Sequence, residues 1–189
     1  ISGLTDNAND YGLIKLDSLG NILWHRTYGG VASDHCFGMA VGEDGSIFLT
    51  GHTLSNTENW DTYTIKIDPF GNVIWERVAG NPRGFNPKFI HDEAWDIKCL
   101  PDGSCIVVAG TGDEYGRYSR RCGSNGDNSN TWHIYLIKYN ASGSLEWQKT
   151  YGSEIGIDWA GEAIDLTSDG GAIVALDNGQ FGFVKIEDF

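Results

Sequence analysis

The stretch that decides the fold is Tyr11-Gly-Leu-Ile-Lys-Leu-Asp17, which runs on through Gly20-Asn-Ile-Leu-Trp24 to Tyr28-Gly-Gly30. Beyond it come Asp34, Met39-Ala-Val41, Asp44-Gly45 and Ile47-Phe-Leu-Thr-Gly51-His-Thr53. The same order returns twice. The second copy has Tyr63-Thr-Ile-Lys-Ile-Asp68, Gly71-Asn-Val-Ile-Trp75, Gly80, Asp92, Asp102-Gly103 and Ile106-Val-Val-Ala-Gly110-Thr111. The third has Trp132-His-Ile-Tyr-Leu-Ile-Lys-Tyr-Asn140, Gly143-Ser-Leu-Glu-Trp147, Tyr151-Gly152, Asp158, Asp169-Gly170 and Ala172-Ile-Val-Ala-Leu176. The complete copies occupy about 10–53, 61–111 and 132–177, with partial copies at 1–5 and 181–189, all within one domain, 1–189.

Each copy predicts four strands: Tyr11–Leu16, Ile22–Thr27, Cys36–Val41 and Ile47–Thr50 in the first. Asp-x-x-Gly-Asn between the first two, and Asp-Gly between the last two, are turn chemistry. Short, evenly spaced strands with a recurring Gly and aromatic signature predict an all-β fold. A period of this length points to a β-propeller, a solenoid or an array. We expect a β-propeller of four-stranded antiparallel repeats, with about four blades or forming part of a larger ring. Cutting each blade ahead of its third strand gives sheets of three, four, four and three strands. Residues that recur with the repeat are expected to be structural parts: Lys15, Lys66, Lys138 and Lys185; Trp24, Trp75 and Trp147; Asp34, Asp92 and Asp158.

Lys-Leu-Asp-x-x-Gly-Asn-x-x-Trp, then Tyr-Gly-Gly, Asp-Gly-Gly and Gly-x-Thr, resembles the repeats of secreted bacterial β-propeller proteins. The resemblance covers nearly the whole chain. It implies a scaffold or binding module, secreted or at the cell surface. Copy two departs with Val78-Ala-Gly80 for Tyr-Gly-Gly, and copy three lacks Gly-Thr after its last strand. A uniform ligand site in every blade is therefore not expected.

The net charge is −13, so a phosphate backbone or an anionic membrane would be repelled, and neither is an expected partner. A neutral or basic ligand, or a cation, is permitted. The chain opens on Ile1 without a secretory leader, as expected of a mature or trimmed product. Cys99 and Cys105 flank the turn Leu100-Pro-Asp-Gly-Ser104 and should face each other across a hairpin. They are either two small core residues or a cross-strand disulfide, the latter permitted in an oxidising compartment. Cys36 aligns with Ala94 and Ala160 and is expected to fill core; Cys122 falls in an insertion.

Two long insertions, Gly80–His91 and Thr111–Thr131, belong at the same end of the sheets, and function gathers on loops that a rigid scaffold holds. The second offers Asp113, Glu114, Tyr115, Tyr118, Arg120 and Arg121. Carboxylates, phenols and guanidiniums so close together suit a sugar or another polar ligand. Trp60, Trp95, Trp132 and Trp159 can supply stacking faces, and Asp92 and Glu93 lie at the same end. The expected function is an extracellular module binding carbohydrate or another polar small molecule through the loops 80–91 and 111–131. One alternative is a carbohydrate-active hydrolase or lyase drawing on Asp113, Glu114, Asp92, Glu93, Asp158 and Glu162. Another is a structural repeat module that assembles through open ends, as a homo-oligomer. No nucleophile elbow, phosphate-cradling loop or metal-ligand spacing is present. No cofactor is expected, except that Asn125, Asp127 and Asn130 offer oxygen donors to calcium. Asn140-Ala-Ser142 matches a glycosylation sequon, although Asn140 occupies the turn position of Asp17 and Asp68.

Overall fold

The computed structural model describes residues 9–114, 130–153, 157–177 and 181–187. The described residues form thirteen strands and no helix. These are β1 (Tyr11–Leu16), β2 (Ile22–Tyr28), β3 (Asp34–Val41), β4 (Ile47–Thr53), β5 (Asp61–Ile67), β6 (Val73–Ala79) and β7 (His91–Cys99). They continue with β8 (Cys105–Gly112), β9 (His133–Tyr139), β10 (Leu145–Tyr151), β11 (Ala160–Leu166), β12 (Ala172–Asp177) and β13 (Phe181–Ile186). All pairings are antiparallel between chain neighbours, giving four sheets: β1–β2, β3–β6, β7–β10 and β11–β13. This is the expected division ahead of each third strand. The strand expected in residues 1–5 lies outside the described residues, so two strands of the first sheet are described, not three.

The recurring turns explain the recurring residues. Asp17 Oδ1 accepts from the Leu19 and Asn21 N–H groups at 2.9 and 2.8 Å, while Gly20 takes the positive φ, +85°, that closes the turn. Asp68 repeats this with Phe70 and Asn72. Asn140 performs the same task with Ser142 and Ser144, which is why Asn can replace Asp there. These hydrogen bonds hold the Asp17 and Asp68 carboxyls below their ordinary range, the largest cause in each being the Asn four residues on. At the β3–β4 and β7–β8 turns, Ser46 and Ser104 do the same to Asp44 and Asp102.

The sheets stack face to face in chain order. Tyr11, Tyr28, Leu49, Tyr63, Ile65 and Ile67 fill the first interface. Phe48, Trp75, Ile97, Val107, Tyr135 and Ile137 are central to the second, and Ile106, Val108, Leu136, Ile164 and Val174 to the third. Lys15 and Lys66 are bridges between sheets: each Nζ donates to a turn carbonyl of the following sheet, Pro69 at 3.0 Å and Gly103 at 3.3 Å. Trp75 Nε1 and Arg77 Nε clasp the next turn at Ala141 O (3.2 Å) and Gly143 O (2.6 Å). Among the described residues the stack is open: no comparable packing joins the fourth sheet to the first.

Of the cysteine expectations, one falls to its core-residue alternative and one is corrected. Cys99 and Cys105 do pair across the β7–β8 hairpin, but both are free thiols and no disulfide joins them. The Cys99 thiol turns instead to the Leu100 carbonyl at 3.4 Å, and Cys105 is a buried core residue whose thiol is pushed up chiefly by desolvation. Cys36 is exposed and fills no core. Its counterpart Ala94 is buried in the second interface, whereas Cys36 lies at the first interface, close to Tyr11. Cys122 lies outside the described residues.

Candidate functional site

Bulges in the leading strands build the site. The pairing of β3 with β4 slips between Cys36 and Gly38, β7 with β8 between Ala94 and Asp96, and β11 with β12 between Gly161 and Ala163. The residue left over is Phe37, Trp95 and Glu162 in turn. A bulge re-aims its extra side chain out of the alternation of the strand. Phe37 and Trp95 meet with ring centroids 4.6 Å apart, and Trp95 and Glu162 line one cleft.

That cleft, of about 220 Å³, lies between the third and fourth sheets and is lined by Glu93, Trp95, Glu114, Trp132, Asp158, Ala160, Glu162 and Asp177. Five of these are carboxylates, two are indoles, and none is a cation. Trp132 is seated by glycine. A Cβ on Gly110 would come within 2.7 Å of the indole, and one on Gly112 within 2.9 Å, so only bare backbone lets the ring lie against β8. Its backbone N–H donates to Asp158 Oδ1 at 2.9 Å, and Trp159 N–H donates to Trp132 O at 2.7 Å, locking together the approaches to β9 and β11. The Glu162 carboxyl is raised above its ordinary range, first by partial burial and then by the charges of Asp177 and Glu93.

Beyond Trp95 the surface turns aromatic. His35 lies 4.7 Å and His52 4.8 Å from Trp60, and Phe37 lies 5.0 Å from His52, ring to ring. Burial pushes the buried His52 down to about 4, against the opposing charge of Glu93, so it is neutral at physiological pH. The exposed end of the stack thus passes from rings on the second sheet, through Glu93 and Trp95 on the third, to carboxylates on the fourth.

Of the residues read from sequence, Glu93, Trp95, Glu114, Trp132, Asp158 and Glu162 come together in the cleft. Trp60 belongs to the aromatic row. Asp92 does not join them: alternation along β7 turns it inward, where Oδ2 accepts from Asn81 N–H at 2.6 Å. Asp113 is buried as well. Tyr115, Tyr118, Arg120 and Arg121, with the calcium candidates Asn125 and Asp127, lie outside the described residues; Asn130 is exposed. Among the described residues no group of three or more His, Cys, Asp or Glu is placed to hold a metal. Both insertions do reach the same end, where one Arg83 guanidinium N–H donates to Thr131 O at 2.7 Å. Asp177 was missed from sequence. Its one trace was that copy three departs from the Gly-Thr ending at this strand.

Between the second and third sheets, Asp61 and Asp92 flank Gly80, where a Cβ would collide with Asp61 and come within 3.0 Å of Asp92. Desolvation lifts Asp61 to about 6 and Asp92 to about 7, outweighing the hydrogen bond from Asn81. No protein-family model matches this sequence, and no curated protein is significantly similar to it.

Proposed function

We propose that the chain is a β-propeller-type binding module that takes a neutral or amine-bearing carbohydrate in the cleft between its third and fourth sheets. One observation carries this reading: two indoles and five carboxylates line a single cleft that has no cation among its described residues. Indole faces suit the C–H faces of a sugar ring, and carboxylates accept hydrogen bonds from hydroxyls. An ammonium group gains further from carboxylates and from ring faces, while an acidic sugar meets like charge. The repeated sheets, each clasping the next, support reading them as blades.

A second reading rests on Glu162. A carboxyl raised by its surroundings beside other carboxylates is the arrangement a glycoside hydrolase uses for its acid. Screening of neutral, glucosamine-type and uronate oligosaccharides tests both. The binding reading expects retention of the first two classes, no retention of uronates, and intact ligand afterwards. Retention of uronates alone, or of no sugar, contradicts it. Cleavage that disappears in Glu162→Gln, with binding kept, establishes the hydrolase instead.

A further inference from the structure

We propose that the outer face of β12–β13 and the outer face of β1–β2 are two halves of one interface, closed head to tail between two copies of this chain. The inference is independent of the ligand reading and rests on how the repeat builds its internal interfaces.

Ile14 and Leu16 on β1 are 54% and 52% exposed. Their counterparts are Ile65 and Ile67 on β5, and Ile137 and Tyr139 on β9. These face the preceding sheet and are 0–2% exposed. At the other end of the stack, Phe183 is 65% and Ile173 39% exposed. The counterpart of Phe183 is Leu136, and those of Ile173 are Phe48 and Ile106; all three face the following sheet and are fully buried. Exposure alone would not single out these residues. Ile22 and Leu23 on β2 are also exposed, but so are Val73, Ile74 and Leu145 at the same positions of the internal sheets. That is the solvent edge of every repeat. Ile14, Leu16, Ile173 and Phe183 differ because their internal counterparts are covered.

The internal contacts also show which residues meet. Phe48 packs with Ile137 and Tyr139 in the second interface. Ile106 and Leu136 pack with Val184 and Ile186 in the third. Leu13 packs with Ile65 and Ile67 in the first. Translated onto the free faces, Ile173 and Phe183 of one copy seat against Ile14 and Leu16 of the next. A second copy is taken as the occupant because it continues an interface that this chain already builds three times.

The contact is weaker than the internal ones. Internally, outer-strand residues such as Trp75 and Arg77 also clasp the following turn. The described part of the fourth sheet has no such strand, and the corresponding turn glycine of the first sheet, Gly20, has nothing within 4 Å of a Cβ position. Association is accordingly reversible. It strengthens with salt, because copies of net charge −13 repel each other. A heterologous contact of this kind propagates into a ring or a filament.

The test is light scattering on the full chain over about a hundredfold range of concentration, with Ile14→Glu and Phe183→Glu. Both positions are exposed, and circular dichroism checks that the strands persist. The wild type should grow in mass with concentration and with salt, and each variant alone should stay monomeric. An equimolar mixture of the two variants should form a dimer and nothing larger, because one intact face remains on each partner. A wild type that stays monomeric throughout, variants that still self-associate, or a mixture that stays monomeric would each overturn the proposal.

Discussion

The two ends of the sheet stack use the same residue type in opposite ways. At the tight-turn end, Asp17, Asp44, Asp68 and Asp102 spend their oxygens on backbone N–H groups and neighbouring side chains, which keeps each carboxyl below its ordinary range. At the insertion end, Asp61, Asp92 and Glu162 are all raised, each first by desolvation. A carboxylate whose oxygens are consumed locally is a structural part. Carboxylates that burial and like charge hold in the costlier state are the ones that a ligand or a proton can relieve. The distinction separates scaffold from site in a chain where acidic residues are everywhere.

The largest effect should come from the indole seat. Trp132→Ala is expected to weaken binding of a glucosamine oligomer about thirtyfold, or roughly 2 kcal/mol, and to lower Tm as well because the ring's packing on Gly110 and Gly112 is lost, so affinity is read well below the melt. Isothermal titration beside a thermal melt checks this, and an unchanged affinity would remove Trp132 from the site.

The next effect is on stability. The folded protein holds protons on Asp61 and Asp92 that the unfolded chain releases near pH 4, so stability falls as pH rises from there through the folded values of about 6 and 7. Tm should drop by on the order of 5 °C between about pH 5 and pH 8, and Asp92→Asn should flatten the slope. A Tm that rises over this window would contradict the burial assigned to the pair.

The smallest effect belongs to the turn end. Asp68→Ala removes an acceptor used by Phe70 and Asn72 and should lower Tm by a few degrees while leaving glucosamine affinity unchanged. Any loss of affinity would blur the division between the two ends.

The strands were legible because turn chemistry marks them from both sides. Asp17 and Gly20, or Asp44 and Gly45, define where a strand stops whatever it packs against. The expected strand Tyr11–Leu16 is found as such, and the structure extends others by one to three residues, for example β4 to Thr53 rather than Thr50. Burial was less legible, because it belongs to the neighbouring sheet. Cys36 and Ala94 are equivalent in the repeat, yet only Ala94 is covered. The sequence spacing of Cys99 and Cys105 placed them opposite each other but carried no information on where each thiol turns. The cleft was largely legible. Glu93, Trp95, Glu114, Trp132, Asp158 and Glu162 could be named because they fall at the end that the insertions mark as functional, whereas Asp92 was grouped with them only because a linear reading ignores alternation. The bulges were hidden altogether: aligned copies run through Phe37 and Trp95 without a gap, and only the pairing register reveals the extra residue.

The most direct test of the account is to follow the indole N–H resonances while a glucosamine oligomer is titrated in. Trp95 and Trp132 should shift together and saturate with one affinity, while Trp24 and Trp75, which pack near the turn end, stay fixed. Shifts confined to Trp24 and Trp75, or no indole shift at saturating sugar, would contradict the claim that the insertion end is the binding face.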